Sequence, residues 1–207
     1  MALIQFAYHY SFESLGQALK MLKNASDNLR TGGYFVGTTV DSYRVIDRIQ
    51  KEGKPSFGND IYSITFPDSI LDSDRKIEMF GNKYNFHLDD VVDCPEFLVY
   101  FPTVVRLAKQ FNLELVYCKN FAEYYLEKFD PQNKSLMLRM KSLQPYPLDG
   151  DLRDLNDEQL RKEYAHADQF LRKHPEIGER SKIGTLSASE WEIISLYIVF
   201  AFKKTRK

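Results

Sequence analysis

The stretch IQFAYHYSF, from Ile4 to Phe12, gathers two phenylalanines, two tyrosines and a histidine into nine residues. Such a run reads either as a buried strand or as the wall of a binding site. Further aromatic residues concentrate between Phe80 and Phe101 and between Phe121 and Phe129, in a chain that is 14% aromatic. Cys94 and Cys118 have neither metal-ligand nor redox spacing, so no zinc site and no disulfide framework is expected. Both read as reduced thiols in packed surroundings, and His87, His166 and His174 as surface or structural side chains. With 28 basic and 29 acidic residues the net charge is −1, which gives no overall field to hold a long nucleic-acid duplex. A polyanionic partner must therefore be read locally. No apolar run approaches the ~20 residues of a bilayer-spanning helix, and the first residues lack the pattern of a signal peptide. Neither a membrane nor a metal partner is expected.

The elements that would position these side chains follow from the spacing of apolar residues. Ile4 to Tyr8 reads as a short strand, and Ser14 with Gln17 as a capping box opening a helix. Leu15, Ala18, Leu19, Leu22, Ala25 and Leu29 then form one helical stripe, which Gly32 and Gly33 end. Tyr34 to Thr39 is β-rich, and either Asp41 or Ser42 can cap a second helix carrying Val45, Ile46 and Ile49. This βαβα order predicts parallel strands with crossover helices. Between Gly53 and Asp93 two β-like stretches flank a polar loop, Asp68 to Lys76, and predict an antiparallel pair. Pro102 suits the first turn of a helix that Asn112 ends before the strand LELVYC. Helices are expected over Ala122 to Phe129 and Lys134 to Ser142. A polar segment with a charged helix follows, an insertion or lobe with a poor core of its own. Ser187 and Glu190 form another capping box, and Leu196 to Phe202 a final apolar strand.

Seven blocks in order, QFAYHYSFES, GGYFVGTT, SFGNDIY, VVDCPEFLVYFP, LQPYP, IGTLSASEWE and LYIVFAF, resemble the mRNA cap guanine-N7 methyltransferases of eukaryotes. The resemblance runs from Gln5 to Phe202. It implies an α/β fold: the C-terminal part of a Rossmann-like class I methyltransferase sheet, with an antiparallel cap-binding insertion and a polar helical lobe. Residues 1–207 are expected to form a single domain, with 144–182 the polar lobe within it. The family's opening strand, its glycine-rich turn and the acidic residue that holds the cofactor ribose have no counterpart in this sequence. The first strand here corresponds to the fourth strand of the family fold. The expectation is a carboxyl-terminal portion, with most contacts to S-adenosylmethionine lying outside the chain.

By the same resemblance, Gln5 and Phe6 meet the adenosine end of the cofactor, and Phe6, His9 and Tyr10 face the cap guanine. Glu96, in PEFLVYF, is placed to accept from the N1–H and N2 amine of guanine, a donor pair that adenine lacks. Tyr197, in LYIVFAF, reaches the same base, and Phe86 and Tyr84, in KYNFHL, are candidates for the pocket wall. No catalytic acid or base is expected, because guanine N7 already carries a lone pair. The family commonly has Pro-Asn after GTT where this chain has Val40 and Asp41; Val40 can supply apolar contact in kind. The implied partners are the capped 5' end of nascent mRNA and a small activating subunit at the 144–182 lobe, and the implied location is the nucleus. The terminal KKTRK is a weak basic cluster. An alternative reading is a non-catalytic cap- or guanine-binding scaffold protein that has lost the cofactor-binding turn.

Overall fold

The computed structural model describes residues 1–72, 77–128, 130–147, 157–177 and 182–206. In chain order the elements are β1 (Ala2–Ile4), a 3-10 turn (Tyr8–Glu13), α1 (Leu15–Asp27), β2 (Tyr34–Val40), α2 (Ser42–Glu52), β3 (Ser56–Gly58) and β4 (Tyr62–Thr65). Then come β5 (Lys83–Leu88), β6 (Val92–Phe97), α3 (Phe101–Ala108), β7 (Leu113–Asn120), α4 (Phe121–Lys128) and α5 (Pro131–Arg139). The chain continues with β8 (Gln144–Tyr146), α6 (Asp157–Lys173), β9 (Ile183–Thr185), α7 (Ala188–Ile194) and β10 (Tyr197–Lys204). It divides into one unit of Met1–Tyr124 with Ser195–Lys207, and a second of Tyr125–Ile194.

The first unit is built on a sheet of order β1-β2-β10-β7. β1 and β2 are parallel, so they need the crossover that α1 supplies, while β10 is antiparallel to both β2 and β7. The βαβα reading is thus met by β1-α1-β2-α2, with a single parallel pair. α1 starts where expected: the Ser14 hydroxyl accepts from the Gln17 N–H, and Ala18, Leu22 and Ala25 face the core. It stops at Asp27, earlier than the glycines, and Gly32, at φ +81, makes the turn into β2. Of the two candidate caps for α2, Asp41 is the one used. On β2, a Cβ at Gly37 would stand 2.5 Å from the Phe200 ring and 2.7 Å from Ile4, so only glycine permits this approach of β1, β2 and β10. α3 carries Pro102 in its first turn, and Asn112, in the left-handed region, closes the following 3-10 turn.

The opening aromatic stretch departs from its predicted form. β1 ends at Ile4, Phe6 turns into the left-handed region at φ +50, and residues Tyr8–Glu13 wind as a 3-10 helix in place of a continued strand. That winding sorts the rings. Tyr8 and Phe12 are fully buried among Phe35, Val104, Phe200 and Phe202, whereas Phe6 and Tyr10 stay exposed. Full burial of one such ring contributes about 1.5–3 kcal/mol, which fixes the turn to the sheet.

Four strands, not two, make the second sheet, ordered β3-β4-β5-β6 and antiparallel throughout. The stretch SFGNDIYSITF folds back on itself, and VDCPEF forms a further strand that the sequence pattern did not mark. Along β5, Tyr84 and Phe86 are buried and Lys83, Asn85 and His87 exposed, the alternation of a half-buried strand.

In the second unit Asp130 caps α5, and Ser187 and Glu190 cap α7 reciprocally through their side chains and backbone N–H groups. β8 and β9 pair antiparallel, and Tyr146 stacks on Tyr164 of α6 with ring centroids 5.1 Å apart. The predicted polar lobe falls in this unit, but its positions 148–156 and 178–181 lie outside the described residues, as do 73–76 of the polar loop, 129 and 207. Among the described residues no helix is long and apolar enough to cross a membrane. Cys118 corrects the expectation of packed thiols: β7 is an edge strand, and this residue is exposed on it.

Candidate functional site

Because β10 runs against its neighbours, its first residue, Tyr197, lies at the carboxyl ends of β2 and β7, paired with Val40. Open α/β sheets bind ligands at this end. Phe6, two residues beyond the end of β1, is held there by its N–H donating to Thr38 Oγ1 at 2.9 Å. Its ring meets Tyr197 edge to face at 5.1 Å and Phe121 at 6.1 Å, and Phe121 lies 5.8 Å from Tyr197. The Asn120 amide donates to the carbonyls of Ser195 and Tyr197, which ties the start of β10 to the end of β7. Phe6 is 52% exposed and Tyr197 only 8%, so the set presents one open ring backed by a buried one.

Beside it the 3-10 turn and the second sheet enclose three polar groups. Register pairs Tyr84 of β5 with Glu96 of β6, and the Tyr84 hydroxyl donates to Glu96 Oε2 at 2.7 Å. Glu96 Oε1 lies 3.3 Å from His9 Nε2. Neither nitrogen of His9 is aligned for a hydrogen bond with any described residue, so that approach is a close contact and not a bond. His9 and Glu96 are only 2% and 4% exposed. Tyr10, whose ring packs against His9 at 4.3 Å, is half-exposed and reaches Cys94 Sγ at 3.3 Å.

Burial penalises whichever form is charged. It pushes the Glu96 carboxyl up to about 7, with the Tyr84 hydrogen bond pulling the other way. It holds the His9 imidazole down at about 4, neutral throughout the physiological range. The Tyr197 hydroxyl is raised, first by burial and then by Glu96. Hydrogen bonding to Cys94, then burial, pushes Tyr10 up to about 12. The site is therefore a wall of rings, part buried and part open, beside one nearly buried carboxyl group that burial raises.

Of the residues singled out from sequence, His9 and Glu96 touch, Tyr10 adjoins them, and Phe6 and Tyr197 form the neighbouring ring set. Phe86 is buried on the Tyr84 face of β5, opposite Cys94, and Gln5 is exposed after β1. Among the described residues, neither makes a hydrogen bond or ring contact with the set. Sequence reasoning missed Phe121 and Cys94, and it missed the bond from Tyr84 to Glu96; the adjacency of Phe121 to Asn120 at a strand end was the only signal for the first. Val40, the register partner of Tyr197, is buried. A separate cavity of about 410 Å³ opens beside α2, lined by Tyr43, Ile46, Asp47, Met79, Leu98 and Tyr100 among others, and takes in none of the predicted residues. Among the described residues no cluster of His, Cys, Asp and Glu could hold a metal ion.

Residues 1–205 match the family described as the mRNA (guanine-N(7))-methyltransferase domain. The mRNA cap guanine-N(7) methyltransferase of Drosophila melanogaster is 43% identical over 208 aligned residues, which cover 98% of this chain and 44% of that protein. That of Caenorhabditis elegans is 38% identical, covering 98% of this chain and 52% of the relative. The mRNA cap guanine-N(7) methyltransferase 1 of Oryza sativa subsp. japonica is 36% identical, over 97% and 46%. The chain spans about half the length of these curated relatives. By its sequence, the chain belongs to the mRNA (guanine-N(7))-methyltransferase family.

Proposed function

We propose that this chain carries the guanine-holding site of an enzyme that methylates N7 of the GpppN cap of nascent mRNA in the nucleus. The observation that carries the reading is Glu96: a nearly buried carboxyl group, anchored on one side by Tyr84 and bordered by His9, at the edge of an aromatic wall. Each carboxylate oxygen retains a lone pair for the N1–H and N2–H donors of guanine. Adenine offers no such pair and would leave the carboxylate unmatched. Hydrogen bonds to a charged group contribute about 1.5–3 kcal/mol, a preference of about 10- to 150-fold.

N7 needs no proton removed before it attacks, so no residue here has to act as a base. The work of the chain is positioning. Phe6 and Tyr10 give the base a surface for stacking, and the buried Tyr197 and His9 keep water from its edge. Holding nucleophile and methyl donor in line supplies up to about 7–11 kcal/mol of the barrier.

Bound S-adenosylmethionine supplies the electrophilic methyl group. The residues predicted to meet it fit one end of that molecule: Gln5 offers an exposed amide and Phe6 a half-exposed ring, suited to the edge and face of an adenine. The second unit is the surface this reading assigns to a small activating subunit.

Titrating the chain with GpppG, with and without S-adenosylhomocysteine, tests the proposal. Tighter GpppG binding with the cofactor product present supports an enzyme. Binding abolished by Glu96→Gln but indifferent to S-adenosylhomocysteine supports the scaffold alternative. Absence of GpppG binding under both conditions contradicts the site.

A further inference from the structure

Building on the guanine reading, we infer that Tyr84 is a positioning residue for guanine selection: its hydroxyl fixes the Glu96 carboxylate in the orientation that meets the base edge. The geometry assigns it this part. Tyr84 is 1% exposed, stands directly across from Glu96 in the β5/β6 register, and spends its hydroxyl on Glu96 Oε2 at 2.7 Å. Its own ring is fixed by Phe66, 5.2 Å away. Tyr84 is thus set behind the carboxylate and touches the ligand only through it. A donor in that place does two things: it chooses the rotamer of Glu96, and it favours the charged carboxylate, which alone can accept from both guanine donors.

The second effect gives a signature that packing alone would not. Glu96 is raised to about 7, so guanine affinity is present above that pH and falls as pH drops through it. Removing the Tyr84 hydroxyl takes away the one influence that lowers this value, so the limb moves to higher pH. A charge-assisted hydrogen bond is worth about one to two pH units in such a shift. The groups facing Glu96 are His9 and Tyr10 from the 3-10 turn, Tyr84 from β5, Cys94 from its own strand and Tyr197 from β10. His9 is held near 4, Tyr10 is pushed up to about 12, and Tyr84 and Tyr197 are raised, so none of these four changes charge between pH 5.5 and 8.5. Observing the Glu96 carboxyl carbon directly makes the readout that of Glu96 itself.

The experiment compares wild type with Tyr84→Phe, which keeps the ring. GpppG affinity is measured from pH 5.5 to 8.5, below the range where guanine loses its own N1 proton, and Glu96 is titrated by carbon-13 NMR without ligand. The inference expects the Tyr84→Phe limb to move up by about one to two pH units in both measurements, with the affinity deficit shrinking as pH rises. An unmoved Glu96 titration, or an affinity lowered by one constant factor at every pH, overturns it. If wild type binds GpppG and ApppA equally, the guanine reading itself falls and takes this inference with it. A shifted carboxyl titration in that case marks the failure as one of ligand identity.

Discussion

Two tyrosine–carboxylate pairs in this chain have the same bond length and different surroundings. Tyr84 donates to Glu96 at 2.7 Å in the first unit, and Tyr146 donates to Asp168 at 2.7 Å in the second. The first pair is sealed between two strands and the 3-10 turn, whereas Tyr146 and Asp168 are both partly open to solvent. Burial lifts both partners of the first pair, Glu96 to about 7 and the Tyr84 hydroxyl well above its ordinary value, while in the second pair the Tyr146 hydroxyl is pushed up to about 12, by burial and then by Asp168. The difference teaches that the bond alone does not make a site. Desolvation turns an ordinary hydrogen bond into a control on charge, because an unmet buried carboxylate has no water to fall back on.

The largest effects should separate the pairs most sharply. Glu96→Gln is expected to lower GpppG affinity by about 10- to 150-fold at pH 8, in fluorescence titrations. Asp168→Asn should leave that affinity within about twofold of wild type, since surface substitutions away from special features change free energies by less than about 0.5 kcal/mol.

Next comes the pH dependence of stability. Glu96, raised in the folded state from 4.5 to about 7, contributes stability that is full below pH 4.5 and lost as pH rises through 7. His9, lowered from 6.5 to about 4, contributes stability that is full above pH 6.5 and lost as pH falls through 4. Each is worth about 3 kcal/mol, so the two opposed trends nearly cancel and the wild-type contribution is flat across this window. Glu96→Gln should uncover the His9 trend, with Tm falling from pH 6.5 to 4 in thermal melts. No equivalent trend is expected from Asp168→Asn.

Smaller again are the hydroxyl deletions. Tyr84→Phe should cost about 1–3 kcal/mol in urea unfolding at pH 8, because a buried carboxylate loses its donor. Tyr146→Phe should cost about 0.5–1.5 kcal/mol, because solvent can replace the bond. Equal losses would show that burial does not distinguish the pairs.

Much of the scaffold was legible in the sequence because its signals are local. Ser14, Pro102 and the Ser187/Glu190 box each mark a helix start through contacts within a few residues and act as read, and Asp41 is one of the two caps the sequence offered for α2. The site was legible as a set of residue types. Its geometry was not, because it depends on long-range pairing. Tyr84 and Glu96 meet only through the β5/β6 register, which in turn needs the Asp90 turn at φ +56. Pro95 hid that strand, since proline is scarce within sheets, so the sequence pointed to Glu96 by its residue type and block and not by a strand that would hold it. The strand read over Ile4 to Tyr8 ends at Ile4 for a related reason: the apolar residues there satisfy a strand pattern, and only the packing of Tyr8 and Phe12 against Phe200 and Phe35 selects the 3-10 turn.

The central claim is that Glu96 selects guanine. Its most direct test is the ratio of GpppG to ApppA affinity at pH 8, in wild type and in Glu96→Gln. The account predicts a guanine preference of about 10- to 150-fold in wild type that disappears in the variant. Equal affinities in wild type, or a preference that survives Glu96→Gln, would contradict it.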